Sequence, residues 1–131
     1  MSKFQKLSET EMEVMKIIWE SQHPITSKEL LDIFAQEKGK EWKGQTIATF
    51  LARLVEKGVL ISKKQGRGNI YLPRISQEEY KSLEAKSLLE LLYEGSVKNF
   101  LATLYGGEKL TKDEIVELRK WFAGKEGEKN G

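Results

Sequence analysis

The sequence predicts a mainly α chain: a head of three helices and a two-stranded β hairpin over residues 1–75, then a helical module over residues 76–124. Three observations carry that expectation. Four segments led by serine or threonine have a glutamate three residues on and precede apolar stripes at helical spacing. Two β-prone runs flank a glycine-bearing segment, and glycines and prolines punctuate the chain between patterns.

The helix starts come first. Ser8-Glu-Thr-Glu11, Thr26-Ser-Lys-Glu29, Ser76-Gln-Glu-Glu79 and Thr111-Lys-Asp-Glu114 fit the capping box. There the hydroxyl accepts from the N3 amide while the N3 carboxylate accepts from the cap amide. A first helix is expected from Glu9 to about Ser21, with Met12, Met15, Ile18 and Trp19 on one face. His23-Pro24 ends it, because proline disfavours helix in the residue before it. A second helix carries Leu30, Leu31, Ile33 and Phe34 and stops before Gly39; a third runs from Gly44 to Lys57 and stops at Gly58. Val59–Ser62 and Asn69–Leu72 read as strands, and the glycines of Lys63–Gly68 permit a hairpin turn between them. Three helices plus such a hairpin make the winged form of the helix-turn-helix motif. After Pro73, helices are expected from Ser76 to Tyr93, Ser96 to Tyr105 and Thr111 to Phe122. The polar, glycine-rich stretch 125–131 reads as a disordered tail.

The helical module carries apolar stripes that three short helices offer little room to bury. Leu88, Leu91, Leu92, Val97, Phe100, Leu101, Leu104, Ile115, Leu118 and Trp121 are accordingly expected to form a dimerisation surface. A monomeric helical cap packed on the head is the alternative.

Composition excludes several function classes. Without cysteine there is no disulfide framework, zinc-cysteine cluster, thiol nucleophile or cysteine redox switch. The lone His23 makes neither a metal site nor a catalytic triad, and no nucleophile–base pair or phosphate loop is present. Neither an enzyme nor a bound cofactor or metal is expected. The longest apolar runs fall far short of a membrane span and the N-terminus has no signal-like stretch, so a cytoplasmic protein without membrane insertion is expected. Charge is uneven: Lys38–Arg74 holds nine basic and two acidic residues, against nine basic and eleven acidic over residues 76–131. Such a stretch suits an anionic partner or a solvated surface, and charge alone leaves both open.

The third helix narrows the choice. At 3.6 residues per turn, Ile47, Phe50, Leu51, Leu54 and Val55 cluster on a core face. Gln45, Thr49, Ala52, Arg53 and Glu56 lie opposite, with Thr46 and Ala48 on the flanks and Lys43 at the entry. Amide, hydroxyl, methyl and guanidinium groups are what reading a major groove requires, although an ordinary amphipathic helix also turns small polar residues outward. The hairpin adds Lys63, Lys64 and Arg67, suited to phosphate contact or, for Arg67, to entry into a minor groove. Trp19 and Trp42 read as packing anchors, and Tyr71 as a brace for the wing. Double-stranded DNA is thus the expected partner. A winged helix that docks proteins is the competing reading, since fold does not decide function.

A resemblance then becomes specific. Ser8–Trp19, Trp42 followed by Thr46-Ile-Ala-Thr-Phe-Leu-Ala-Arg-Leu54, Lys57-Gly58, Tyr93-Glu-Gly95 and Leu110–Leu118 together resemble the penicillinase-repressor (BlaI/MecI/CopY) family, over about Leu7 to Trp121. The resemblance implies a homodimeric repressor binding operators of inverted TACA/TGTA half-sites, with Lys43, Thr46, Thr49 and Arg53 in the DNA-contacting pattern. Ala48 stands where relatives often have arginine, and Gly44 where some have proline, which redirects a contact and loosens the helix entry. The paired cysteines of the copper-responsive branch are absent. The β-lactam branch implies relief by a membrane sensor-protease pathway that cleaves an Asn-Phe bond. Ungapped matching puts that bond at Thr103-Leu104, one helical turn after the chain's own Asn99-Phe100.

Overall fold

The computed structural model describes residues 4–107 and 109–130. The chain runs α1 (Glu9–Glu20), β1 (Ile25–Thr26), α2 (Ser27–Glu37), α3 (Gly44–Glu56), β2 (Leu60–Gln65), β3 (Gly68–Pro73), α4 (Gln77–Tyr93), α5 (Val97–Gly106) and α6 (Lys112–Asn130). All four capping boxes form. Ser8 and Glu11 close the start of α1, and Thr26 and Glu29 that of α2. Ser76 with Glu79 and Thr111 with Glu114 make the same reciprocal bonds ahead of α4 and α6. Each satisfies two amides that the helix itself leaves unpaired.

In this mainly α chain the wing belongs to the only sheet among the described residues, which has three strands in the order β1-β3-β2. The unforeseen member is β1, which pairs antiparallel with β3 through Ile25↔Tyr71 and Thr26↔Ile70. Two residues after a proline are too short for an alternating pattern to register. The hairpin is also longer than expected. Its strands pair from Leu60↔Pro73 to Gln65↔Gly68, so Lys63 and Lys64 lie on β2 and only Gly66 and Arg67 form the turn. The run Ser62–Gln65 is polar and exposed, and so lacks the apolar signal that marks a strand.

The chain folds as two compact units, residues 1–85 and 86–131. The first has a core to which α1, α2 and α3 all contribute: Val14, Met15 and Ile18 from α1, Leu30 and Phe34 from α2, and Ile47, Leu51 and Leu54 from α3. Ile25, Val59 and Leu60 close it from the sheet side. The division falls inside α4, not between residues 75 and 76. Tyr80 explains why. Its ring is buried against Phe4 and Trp19, and its hydroxyl accepts a bond of 2.9 Å from the Leu7 amide. Trp19 adds a bond of 3.0 Å from Nε1 to the Ile75 carbonyl. The first turns of α4 are therefore core of the head.

The second unit has no comparable interior: among its described residues none is buried. Its helices are locally well specified all the same. Helix α4 ends where Glu94 and Gly95 take positive φ of 50° and 81°, and a Cβ at Gly95 would stand 2.8 Å from Glu90 Oε1. Ser96 then caps α5 by accepting from the Asn99 amide. Helix α6 runs to Asn130, beyond the expected end at Phe122, and takes in the stretch read as a tail except Gly131, which lies outside the described residues. Lysines and glutamates around Gly124 and Gly127 are good helix formers, and extending an existing helix is far easier than starting one.

The place of Tyr80 can be checked directly. Tyr80→Phe leaves the buried Leu7 amide without its acceptor and should lower the unfolding free energy by about 1–3 kcal/mol in urea titrations. A fragment ending at residue 75 should melt below one ending at residue 85, because only the longer one retains this ring.

Candidate nucleic-acid interface

Helix α3 divides into two faces with little between them. Ile47, Leu51 and Leu54 are fully buried, while Gln45, Thr46, Ala48, Thr49, Ala52, Arg53 and Glu56 are exposed. Two residues expected on the core face lie on its margins. Val55 is 38% exposed, and Phe50 is half-buried under Trp42, whose ring centroid is 5.4 Å away. A helical stripe is narrower than the wheel suggests when α1, α2 and β2 cover only its centre.

The outward side chains are partly arranged in advance. Arg53 holds its guanidinium 5.9 Å from the Phe50 centroid, a cation–π contact that leaves its outer edge to solvent. Thr49 donates its hydroxyl hydrogen to the Gln45 carbonyl at 3.0 Å. In this rotamer it therefore offers an external partner a methyl group and acceptor lone pairs, not a donor. Trp42 is stacked on Phe34 at 4.3 Å and fixes the approach to α3 as an anchor.

The entry to α3 differs from that of every other helix. Lys43 is its N-cap and makes no side-chain capping bond, and the first turn holds no acidic residue. The capping glutamates of α1, α2, α4 and α6 each place a carboxylate at the helix start, and α5 is capped by Ser96. At α3 the free amides and the positive end of the helix dipole instead lie beside an exposed lysine, an arrangement suited to an anion.

The wing presents its cations differently from one another. Gly66 has φ of +61°, whereas Arg67 does not take positive φ, the pattern of a type II′ turn that needs glycine in its first central position. Arg67 thus sits at the tip. Lys63 and Lys64 are adjacent on β2, so strand alternation sends them to opposite faces of the ribbon. Both are exposed. Tyr71 is half-buried and paired with Ser62 and Ile25, consistent with a brace.

Not every cation of the basic stretch faces outward. Lys57 Nζ lies 2.6 Å from Glu11 Oε1 and donates to the Lys6 carbonyl at 3.1 Å. Lys40 Nζ lies 3.0 Å from Glu13 Oε2. These pairings span 46 and 27 residues, and nothing local in the sequence marks them. Burial of Glu11 pushes its pKa up, but the Lys57 bond and the Ser8 amide and hydroxyl outweigh it, leaving the carboxyl below its ordinary range.

In the second unit the expected dimerisation residues are open to solvent in varying degree. Leu91 is 80% and Leu92 62% exposed; Leu88, Val97 and Trp121 are also exposed. Phe100, Leu101, Leu104, Ile115 and Leu118 are half-buried. An apolar groove of about 590 Å³ between α5 and α6 is lined by Leu101, Tyr105, Ile115, Leu118 and Phe122 among others. A second of about 600 Å³ is lined by Leu101, Leu110, Leu118 and Trp121. Both candidate scissile bonds, Thr103-Leu104 and Asn99-Phe100, lie within α5. His23 is exposed and bonded to the Pro24 carbonyl, and no cluster of three metal-ligating side chains occurs among the described residues. No helix among them is long and apolar enough to cross a membrane.

Comparison with known proteins matches this layout. Residues 7–123 fit the family model described as Penicillinase repressor. Over 118 residues the chain is 32% identical to the penicillinase repressor of Bacillus licheniformis, which covers 90% of each protein. It is 30% identical to the methicillin resistance regulatory protein MecI of Staphylococcus aureus strain N315, across 90% of this chain and 94% of that one. The solution structure of the DNA-binding domain of the repressor BlaI aligns with a TM-score of 0.51 at 38% identity, covering 61% of this chain and 94% of that one.

The Glu11–Lys57 pair carries a pH signature. A carboxyl whose folded pKa is depressed stabilises the fold fully above its unfolded pKa and loses that contribution as the pH falls through the folded value. At neutral pH, Glu11→Gln should lower the unfolding free energy by about 1.5–3 kcal/mol. The gap between wild type and variant should then close as the pH falls from about 5 through the depressed folded pKa, followed by chemical denaturation at a series of acidic pH values.

Proposed function

The chain belongs to the penicillinase repressor family, and from that premise we propose that it represses transcription as a homodimer bound to an inverted-repeat DNA operator. The observation that carries the DNA reading is α3. Ile47, Leu51 and Leu54 are sealed inward, the opposite face is exposed, and the first turn alone among the described helices lacks both a side-chain cap and an acidic residue. In the major groove, Lys43 and the first amides of α3 hold a phosphate, while Gln45, Thr46, Thr49 and Arg53 meet base edges. Arg67, with Lys63 or Lys64 according to the face presented, holds the flanking backbone. Relatives' operators of inverted TACA/TGTA half-sites are the first sequences to try, with Ala48 as the position where readout differs. Such a repressor works in the cytoplasm.

The second copy is supported by the second unit, which offers apolar side chains on all three of its helices and buries none of them. Helix stripes of this kind gain stability by closing on a like surface, and paired half-sites require paired heads. Relief by a membrane sensor-protease pathway fits α5 as the target. A protease binds extended chain, so cleavage at Thr103-Leu104 or Asn99-Phe100 requires α5 to unwind, and a helix with no buried residue opens at small cost.

Electrophoretic shift titrations on an inverted TACA/TGTA duplex and on a scrambled one test the DNA reading; equal affinity for the two would overturn it. Arg53→Ala should reduce the preference by about 1–3 kcal/mol, while Arg67→Ala should weaken both complexes and lower the salt slope by about one. Leu91→Asp should shift the protein toward monomer in sedimentation at micromolar concentration while the head keeps its fold, and a wild-type monomer there would defeat the dimer.

A further inference from the structure

We propose that Glu11 and Glu13 of α1 are positioning residues for the recognition helix, holding it at both ends through Lys57 and Lys40 and so setting how it lies in the groove. This rests on the DNA-binding reading of α3 and names what gives that helix its pose.

The two ion pairs bracket α3. Lys40 stands in the connection from α2, four residues before α3, with its amide donating to the Phe34 carbonyl of α2 at 3.0 Å, and Lys57 is the C-cap residue of α3. Lys40 meets both oxygens of Glu13, at 3.0 and 3.3 Å, and its ammonium lies 5.7 Å from the Trp42 ring centroid. Lys57 meets Glu11 at 2.6 Å and the Lys6 carbonyl at 3.1 Å, with the Lys57 and Glu11 side chains only 21% and 3% exposed. Residues two apart on a helix diverge by about 200° around its axis, so the two carboxylates leave α1 on different sides. One helix can therefore reach both ends of another.

Apolar packing alone does not supply this control. Burial of Ile47, Leu51 and Leu54 decides which face of α3 points inward, but it is non-directional and tolerates small slides and tilts. One directional bond at the C-cap of α3 and another on the connection that leads into it, with a helix about 20 Å long between them, resist both motions. The same geometry turns Lys57 away from phosphates, while Lys40, whose side chain stays 40% exposed, is only partly engaged.

The test uses full-length protein, with binding to an inverted TACA/TGTA duplex and a scrambled duplex measured at several salt concentrations, below the melting temperature of every variant. For the double variant Glu11→Gln, Glu13→Gln, operator affinity should fall about tenfold, the scale of one well-made base contact. Affinity for the scrambled duplex and the salt slope should hold. Lys57→Arg, which can still meet Glu11, should retain the preference. A loss of stability alone would lower both affinities together and leave their ratio intact. An unchanged ratio in the double variant, with wild type discriminating, overturns the positioning role but not the DNA reading. Wild type without preference overturns both. Should the double variant not fold, the single Glu13→Gln, whose carboxylate is about one-third exposed, carries the same comparison.

Discussion

The burial of Ile47, Leu51 and Leu54 is the constraint on which the candidate site depends. A helix has one rotational freedom about its axis, and sealing these three side chains against α1 and α2 removes it. Once they are inside, Gln45, Thr49 and Arg53 must be outside, because a period of 3.6 residues leaves no other choice. The aromatic group at the near end follows from the same closure. Trp42 stacks on Phe34 of α2 and covers the edge of Phe50, and Phe50 in turn gives Arg53 a surface to lie over. Core and contact face are thus two sides of one packing event.

That event is largely legible in the sequence because its causes are local and periodic. The capping boxes announce themselves by spacing, and Gly44–Lys57 needs only a helical wheel to sort its inner from its outer face. What escapes falls into two physical kinds. Some features are too short or too polar to leave a pattern: β1 has two residues, and the outer half of β2 is exposed lysine and glutamine held by backbone pairing with β3. Others are long-range. Tyr80 falls in the helix expected from Ser76 to Tyr93 in the second module, yet a single bond to the Leu7 amide and contacts with Phe4 and Trp19 make it head core. Glu11 reads as an N3 capping residue, which it is, and nothing nearby in sequence tells that the same carboxylate also receives Lys57.

The two units differ in what holds them together. The head buries aliphatic and aromatic side chains from its helices, its sheet and the first turns of α4, so its fold is sustained within one chain. The second unit has well-formed helix ends, but none of its described residues is buried. Cutting or loosening such a unit need not disturb the head.

Charge points to DNA less directly than composition suggests. The stretch Lys38–Arg74 holds nine cations, but Lys40 and Lys57 are engaged by α1 carboxylates, and Lys63 and Lys64 cannot both face one backbone from a single strand. Fewer positive charges than the count implies can therefore meet phosphates together. What distinguishes the surface is placement: an uncapped helix start beside Lys43, a glycine-set turn that carries Arg67 to a tip, and an outer face whose only carboxylate, Glu56, lies in the last turn of the helix. Leaving the first turn of α3 without a capping side chain or a carboxylate, when four other helices use glutamate in theirs, forgoes a cap worth roughly 1 kcal/mol. A fold that leaves that stabilisation unused at one helix start keeps the position open for an anion from outside.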